Sequence, residues 1–329
     1  MTQSPHWPKI ISYFHTGQDI WRRWSQKPAL RILIVAVMAI WFWKIVPWGM
    51  VVHSWAQVGV PAATLGLGAV LLSALLEIVS WGVWLPAKGA GRWFRLLRYY
   101  ASGIFLNQFI PSGTASDVWR WTRVSGEHGS RRAFTSLAMA RVLMFAGLVL
   151  WLVVAVGVIP GELRQPTIFS AGIALAVLSF GALLLTISCA ALPLHQRAIG
   201  LLSKWSDKVM DGGILKSRRR WVISLAAAAA SWGAMIFAVT VFGGAMGMHL
   251  PWSIAAIGLI ASLALSWVPW TPNGIGWRDG AFTIVMLHAG MTLGSAIALS
   301  VFIDFSTLPL ALLGGFVLMT GRRRVQANA

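Results

Sequence analysis

The sequence predicts an all-α polytopic membrane protein, and three observations carry that prediction. Of the 329 residues, 57% are hydrophobic and only 11% are charged, with a mean hydropathy of +0.71. A water-soluble domain of this length needs far more polar surface. The apolar runs continue unbroken for roughly 18 residues or more, the length a helix needs to cross hydrocarbon. They also lack the alternation of apolar and polar residues that marks a membrane barrel. Backbone in hydrocarbon must satisfy its own hydrogen bonds, so such runs are helices.

Residues 1–29 form a basic, Trp-rich arm. Trp7, Ile10, Ile11, Phe14, Trp21 and Trp24 suit either a helix on the membrane surface or an irregular arm. The polar start, with no small-residue cleavage motif after it, does not fit a cleaved signal peptide. Six runs are long enough to span, near 30–47, 63–86, 133–159, 167–192, 221–247 and 293–319. Two further apolar pieces, 97–120 and 252–290, are each broken by Pro and Gly. The breaks hold Pro111 and Gly113 in the first, and Pro269, Pro272, Gly274 and Gly276 in the second.

Basic residues set the orientation. Of the 27 Lys and Arg, 22 fall in segments 1–29, 87–98, 112–132, 194–220 and 320–329. Such loops stay in the cytoplasm and attract anionic head groups, so the net charge of +18 signals topology rather than nucleic-acid binding. Both termini are then cytoplasmic in an inner, plasma-type membrane of bacterial kind. Segment 97–120 must enter and leave from the inside, and 252–290 from the outside; both are re-entrant hairpins. A fully spanning 252–270 stays open as an alternative. The membrane domain divides into repeats 30–159 and 160–320, the second inverted, before a basic tail, 321–329. Pro111 and Pro272 are 161 residues apart, about half the chain. Paired Pro/Gly-broken segments in an inverted repeat point to a transporter site near the bilayer midplane.

Charge inside apolar runs marks the candidate site. A charge at bilayer depth costs roughly 3 kcal/mol, so it faces a cavity or a partner. Arg141 lies a third of the way into 133–159. Asp117 and Arg120 follow the first break, and Arg278 and Asp279 the second. Glu77 and Asp304, inside spans 63–86 and 293–319, are candidate charge or proton partners. Glu77 recurs at helical spacing with Ser73, Ser80 and Trp84. Arginine suits phosphate because its planar fork bonds two oxygens at once. Arg141 leads, Arg120 and Arg278 support it, and Asp117 or Asp279 tethers it in the empty protein. Buried ion pairs that fix helix register are the competing reading. The single cysteine, Cys189, and seven scattered histidines give no metal-ligand spacing, so no cofactor or metal is expected.

These motifs carry a family resemblance. The stretch from Gly103 through Asn107, Pro111, Gly113 and Asp117 to Arg120 resembles the N-x-x-x-P-x-G-x-x-x-D-x-x-R signature of the lysylphosphatidylglycerol synthetase/flippase transmembrane-domain family. Ala140 and Arg141 resemble that family's following Arg-bearing helix. Pro272, Gly274, Gly276, Asp279 and Gly280 resemble its second signature, with two departures: Asp279 stands where glutamate is more usual, and Trp277-Arg278 follows the second glycine, so an arginine stands immediately before the acid. The resemblance implies a membrane domain that moves polar lipids between leaflets. Taken with the charges inside apolar runs, it makes Asn107, Pro111, Gly113, Asp117, Arg120, Arg141, Pro272, Gly274, Gly276, Arg278 and Asp279 the candidate substrate contacts, Arg278 resting on the charge reading alone. No aminoacyl-transfer domain follows before Ala329, so synthesis of the aminoacylated lipid is not expected.

The function expected is flippase- or scramblase-type transport of an anionic polar lipid or lipid-linked intermediate, without enzymatic turnover. No P-loop is present to couple ATP directly. The partners expected are membrane lipids and a lipid-biosynthesis enzyme. Two rivals stay open. One is an intramembrane enzyme acting on a lipid-linked substrate. The other is an accessory subunit of a lipid or glycolipid biosynthesis complex.

Overall fold

The computed structural model describes residues 44, 48–86, 89–108, 115–158, 217–266 and 276–326. Apart from Lys44 and Trp48, these belong to one compact unit, Gly49–Ala329. The arm 1–29, nearly all of span 30–47, all of span 167–192 and both breaks (109–114 and 267–275) lie outside the described residues. So do Pro111, Gly113, Pro272 and Gly274.

Every regular element among the described residues is helical: α1 Trp48–Ala56, α2 Val60–Gly82, α3 Arg92–Asn107, α4 Ala115–His128, α5 Ser130–Val158, α6 Arg218–Ala245, α7 Trp252–Ser266, α8 Trp277–His288, α9 Leu293–Ser306 and α10 Leu308–Gln326. Four stretches are long and apolar enough to cross a membrane: Val60–Gly82, Ser130–Val158, Arg218–Ala245 and Leu293–Thr320. The protein is therefore an all-α polytopic membrane protein. These four coincide with the predicted spans at 63–86, 133–159, 221–247 and 293–319.

Local chemistry sets the ends. Extended Gly59 precedes α2, and Pro61 sits in its first turn, where a missing N–H costs nothing. Gly129, at φ 86°, turns the chain between α4 and α5. Gly247 and Gly290 close α6 and α8 in the left-handed conformation, and Met248 N and Met291 N bond back to Gly243 O and Met286 O. The last span is not one helix. It breaks at Thr307, because Pro309 follows within the next turn and cannot donate back. Helix α1 falls between the predicted spans 30–47 and 63–86. Trp55 holds it to α9 by an indole bond to Ala298 O (3.0 Å) and by edge contacts with Phe302 and Phe305.

The bundle is built on α2 and α6. Ser73 pairs with Ser231 (Oγ–Oγ 3.0 Å) and Ser80 with Ser224 (2.9 Å). Each α6 hydroxyl also donates to the partner serine's carbonyl, at 2.9 and 2.8 Å. Seven residues up α2 match seven residues down α6, so the two helices run antiparallel. Small residues permit this approach, and hydroxyls bonded across it lose no partner in an apolar setting. Gly147 brings α5 against the α6 backbone at Ala228 and Ala229, and Trp151 donates to Ala229 O at 2.7 Å.

Helices α3 and α4 form one antiparallel hairpin, and α7 and α8 another. At about 1.5 Å per residue, the longest of these four spans about 24 Å, short of the roughly 30 Å hydrocarbon core. Tyr99, midway along α3, bonds Glu127 near the end of α4 (2.5 Å), and Arg95 in the first turn of α3 lies 3.8 Å from the same carboxylate, so the end of α4 comes back beside the first half of α3. Each hairpin packs on the last span of the opposite half, α3 on α10 and α7 on α5. Each also packs on the last span of its own half, α4 on α5 and α8 on α9.

Candidate functional site

The first charged cluster forms where α4 leaves the break. Asn107 Oδ1, at the end of α3, accepts from Ser116 N (2.9 Å), an otherwise unbonded first-turn donor of α4. Asp117 thereby takes the third position of α4, where a negative charge meets the positive end of the helix dipole. It faces α5. Arg141 Nε and Nη2 donate to Asp117 Oδ2 and Oδ1, both at 2.9 Å, a bidentate pair.

Arg120, one turn further along α4, points inward. Its side chain is 5% exposed, against 46% for Arg141. It lies 3.6 Å from Glu77 Oε1 on α2 and 3.4 Å from Asp117 Oδ1, and it donates to Ser116. The Tyr100 and Trp81 rings cover it, with centroids 4.9 and 5.6 Å from the guanidinium carbon. Tyr100 OH donates to the other Glu77 oxygen at 2.8 Å. Two carboxylates and two guanidiniums thus cancel, with Arg120 fixed inside and Arg141 at the accessible edge.

The second cluster lies where α8 leaves its break. Gly276, at φ 93°, starts the helix, and its N–H donates to Asp279 Oδ2 (2.9 Å). Asp279 holds the third position of α8, as Asp117 does in α4. Its other oxygen accepts from Ser300 Oγ on α9 (2.7 Å). Arg278 forms an ion pair with Asp304, three residues before the break in the last span. Here two carboxylates meet one guanidinium, and a hydroxyl stands where the first cluster has Arg141.

A family model described as the lysylphosphatidylglycerol synthase TM region matches residues 29–315. The chain belongs to that family. No curated protein and no solved structure matches the chain at the required significance. Membership in the lysylphosphatidylglycerol synthase TM region family, with its apolar spans, gives the protein a membrane lipid-related function.

The structure sorts the sequence-predicted residues into two groups. Glu77, Asn107, Asp117, Arg120 and Arg141 come together in one cluster; Gly276, Arg278, Asp279 and Asp304 come together in the other. Arg278 bonds Asp304 rather than standing beside Arg141. The helical spacing of Ser73, Ser80 and Trp84 serves the α6 seam, where Trp84 Nε1 donates to Ser224 Oγ (3.0 Å), while Glu77 serves the charge cluster.

Tyr100, Trp81, Ser116 and Ser300 escaped sequence reading. Tyr100 and Trp81 look like ordinary apolar-face residues, and only the crossing of α2, α3 and α4 sets them over Arg120. Ser116 carried the clearest signal, because a serine beside the acid in a first helical turn suits capping chemistry.

Proposed function

We propose that the protein moves a phosphate-bearing polar lipid between leaflets, as a flippase or scramblase, without chemical turnover. One observation carries the reading. Arg141 sits inside an apolar span, stays accessible, and is held by a single displaceable carboxylate, Asp117. An arginine engaged only in structure would be enclosed as Arg120 is. A lipid phosphate offers Arg141 the same two-oxygen geometry that Asp117 occupies in the empty protein.

The packing supports an inverted repeat. Helix α2 corresponds to α6, hairpin α3–α4 to α7–α8, and α5 to α9–α10, and the halves clasp each other through the exchanged hairpin contacts. On this reading the hairpins are re-entrant from opposite sides, and their broken tips place Asp117 and Asp279 toward the midplane. Arginines cluster on one end of the bundle: Arg92, Arg95 and Arg98 on α3, Arg123 on α4, Arg131 and Arg132 on α5, and Arg218, Arg219 and Arg220 on α6. That end is cytoplasmic in this reading. A proton gradient or the lipid's own gradient drives movement.

The test is reconstitution. Purified full-length protein in liposomes should speed the loss of asymmetry of a labelled anionic phospholipid and leave that lipid chemically unchanged. A modified lipid would favour an intramembrane enzyme. Unchanged lipid with no movement would favour an accessory subunit.

A further inference from the structure

We propose that the lipid reaches Arg141 sideways, from within the bilayer, across the exposed face shared by α4 and α5. Its phosphate takes the place of the Asp117 carboxylate. The inference rests on the transport reading above and adds the route and the seat of the apolar part.

The α5 face carries the first observation. Phe134 (46% exposed), Arg141 and Phe145 (41% exposed) follow one another at spacings of seven and four, so they line one side of the helix. Arg141 is eight residues past Ala133, about 12 Å along the axis from the start of the predicted span. That is too deep for its head to sit among aqueous head groups. On α4, Val118 (56% exposed) and Trp121 (38% exposed) open beside it. The two faces adjoin, because Asp117 bonds Arg141 and Trp121 Nε1 donates to Ser130 O (3.3 Å).

A free aqueous anion gains nothing from Phe134, Phe145 and Val118. A phospholipid gains from both parts, its phosphate on Arg141 and its chains along the rings.

The second observation concerns what happens to Asp117. Its Oδ1 already lies 3.4 Å from Arg120 Nη2, and Arg120 is immobilised by Glu77, Ser116 and the covering rings. Asp117 can release Arg141 and still keep a counter-ion, so the exchange leaves no orphaned charge. Arg141 also has a group to spare. Its bonds to Asp117 use Nε and Nη2, and Nη1 makes no hydrogen bond among the described residues.

Photocrosslinking tests the route. A benzophenone side chain replaces Phe145 or, separately, Phe134. A control probe replaces Val154, which is 49% exposed on the opposite face of α5. Full-length protein is placed in bilayer discs of phosphatidylglycerol in phosphatidylcholine, illuminated, and weighed intact. The proposal expects phosphatidylglycerol adducts at Phe145 and Phe134 about tenfold above Val154, the ratio that one or more arginine–phosphate bonds supply. Arg141→Ala should bring them down to the Val154 level, and Asp117→Asn should raise them.

Equal adducts at all three positions, or adducts insensitive to Arg141→Ala, overturn the lateral route. So does their removal by millimolar inorganic phosphate, which would identify an aqueous anion as the occupant. Translocation by wild type alongside uniform adducts sinks this route and leaves the transport reading standing. Enriched adducts without translocation do the reverse.

Discussion

Replacing Arg141 separates a lipid-phosphate contact from a structural charge. In the empty protein Arg141 spends two hydrogen bonds, both 2.9 Å, on Asp117. A lipid phosphate would take over the same fork. Each charge-assisted hydrogen bond contributes about 1.5–3 kcal/mol, and the 46% exposure of the side chain argues for the lower end. Arg141→Lys keeps the charge and one bond, so lipid affinity should fall about tenfold. Arg141→Ala loses both, a fall on the order of a hundredfold or more.

Folding should suffer less than binding. Breaking a buried pair outright costs about 3–5 kcal/mol, but Asp117 still has Arg120, and the lost pair is half-exposed, so about 1–2 kcal/mol is expected. The assay compares translocation rates in proteoliposomes at matched protein levels, with thermal unfolding in detergent alongside. Arg141→Ala that translocates at the wild-type rate would falsify the phosphate-site reading. Equal losses in both variants, tracking a loss of stability, would assign Arg141 to the scaffold.

Further predictions bear on other parts of the fold. Cysteines at Ser73 and Ser231 should form a disulfide under mild oxidation, and translocation should continue because the seam is the fixed part of the bundle; a reduced, unlinked pair would contradict the antiparallel register. Ser224→Ala leaves Trp84 Nε1 and Ser80 Oγ short of a buried partner and should cost about 1–3 kcal/mol by chemical denaturation. Gly314→Ala places a methyl 2.0 Å from Ala101 O, so α10 should shift off α3 at a cost of about 1–3 kcal/mol; an unchanged melting temperature would count against that contact. Arg278→Ala should destabilise through the unpaired Asp304, and adding Asp304→Ala should restore most of the loss; absence of that rescue would show the pair is not coupled. Single cysteines at Arg218 and His249, with Cys189 replaced, should differ in intact cells, only the His249 site reacting with an impermeant thiol reagent.

The sequence by itself determined the fold class, four of the spans and the identity of the charged residues. Run length and charge spacing are one-dimensional properties, and the bilayer imposes them directly: a segment of sufficient apolar length spans, and a charge within it needs a partner. The comparable placing of Asp117 and Asp279 was legible for the same reason, since each follows a Pro/Gly break within a few residues. Partnership was not legible. Asp117 and Asp279 were equal candidates for Arg141, and only the packing of α4 on α5 selected Asp117, while the packing of α8 on α9 gave Asp279 to Ser300 and Arg278 to Asp304. The contrast between Arg120, closed under Trp81 and Tyr100, and Arg141, left open, also arises only in three dimensions. Both are arginines in apolar surroundings, and what distinguishes them is which neighbouring helix covers the guanidinium.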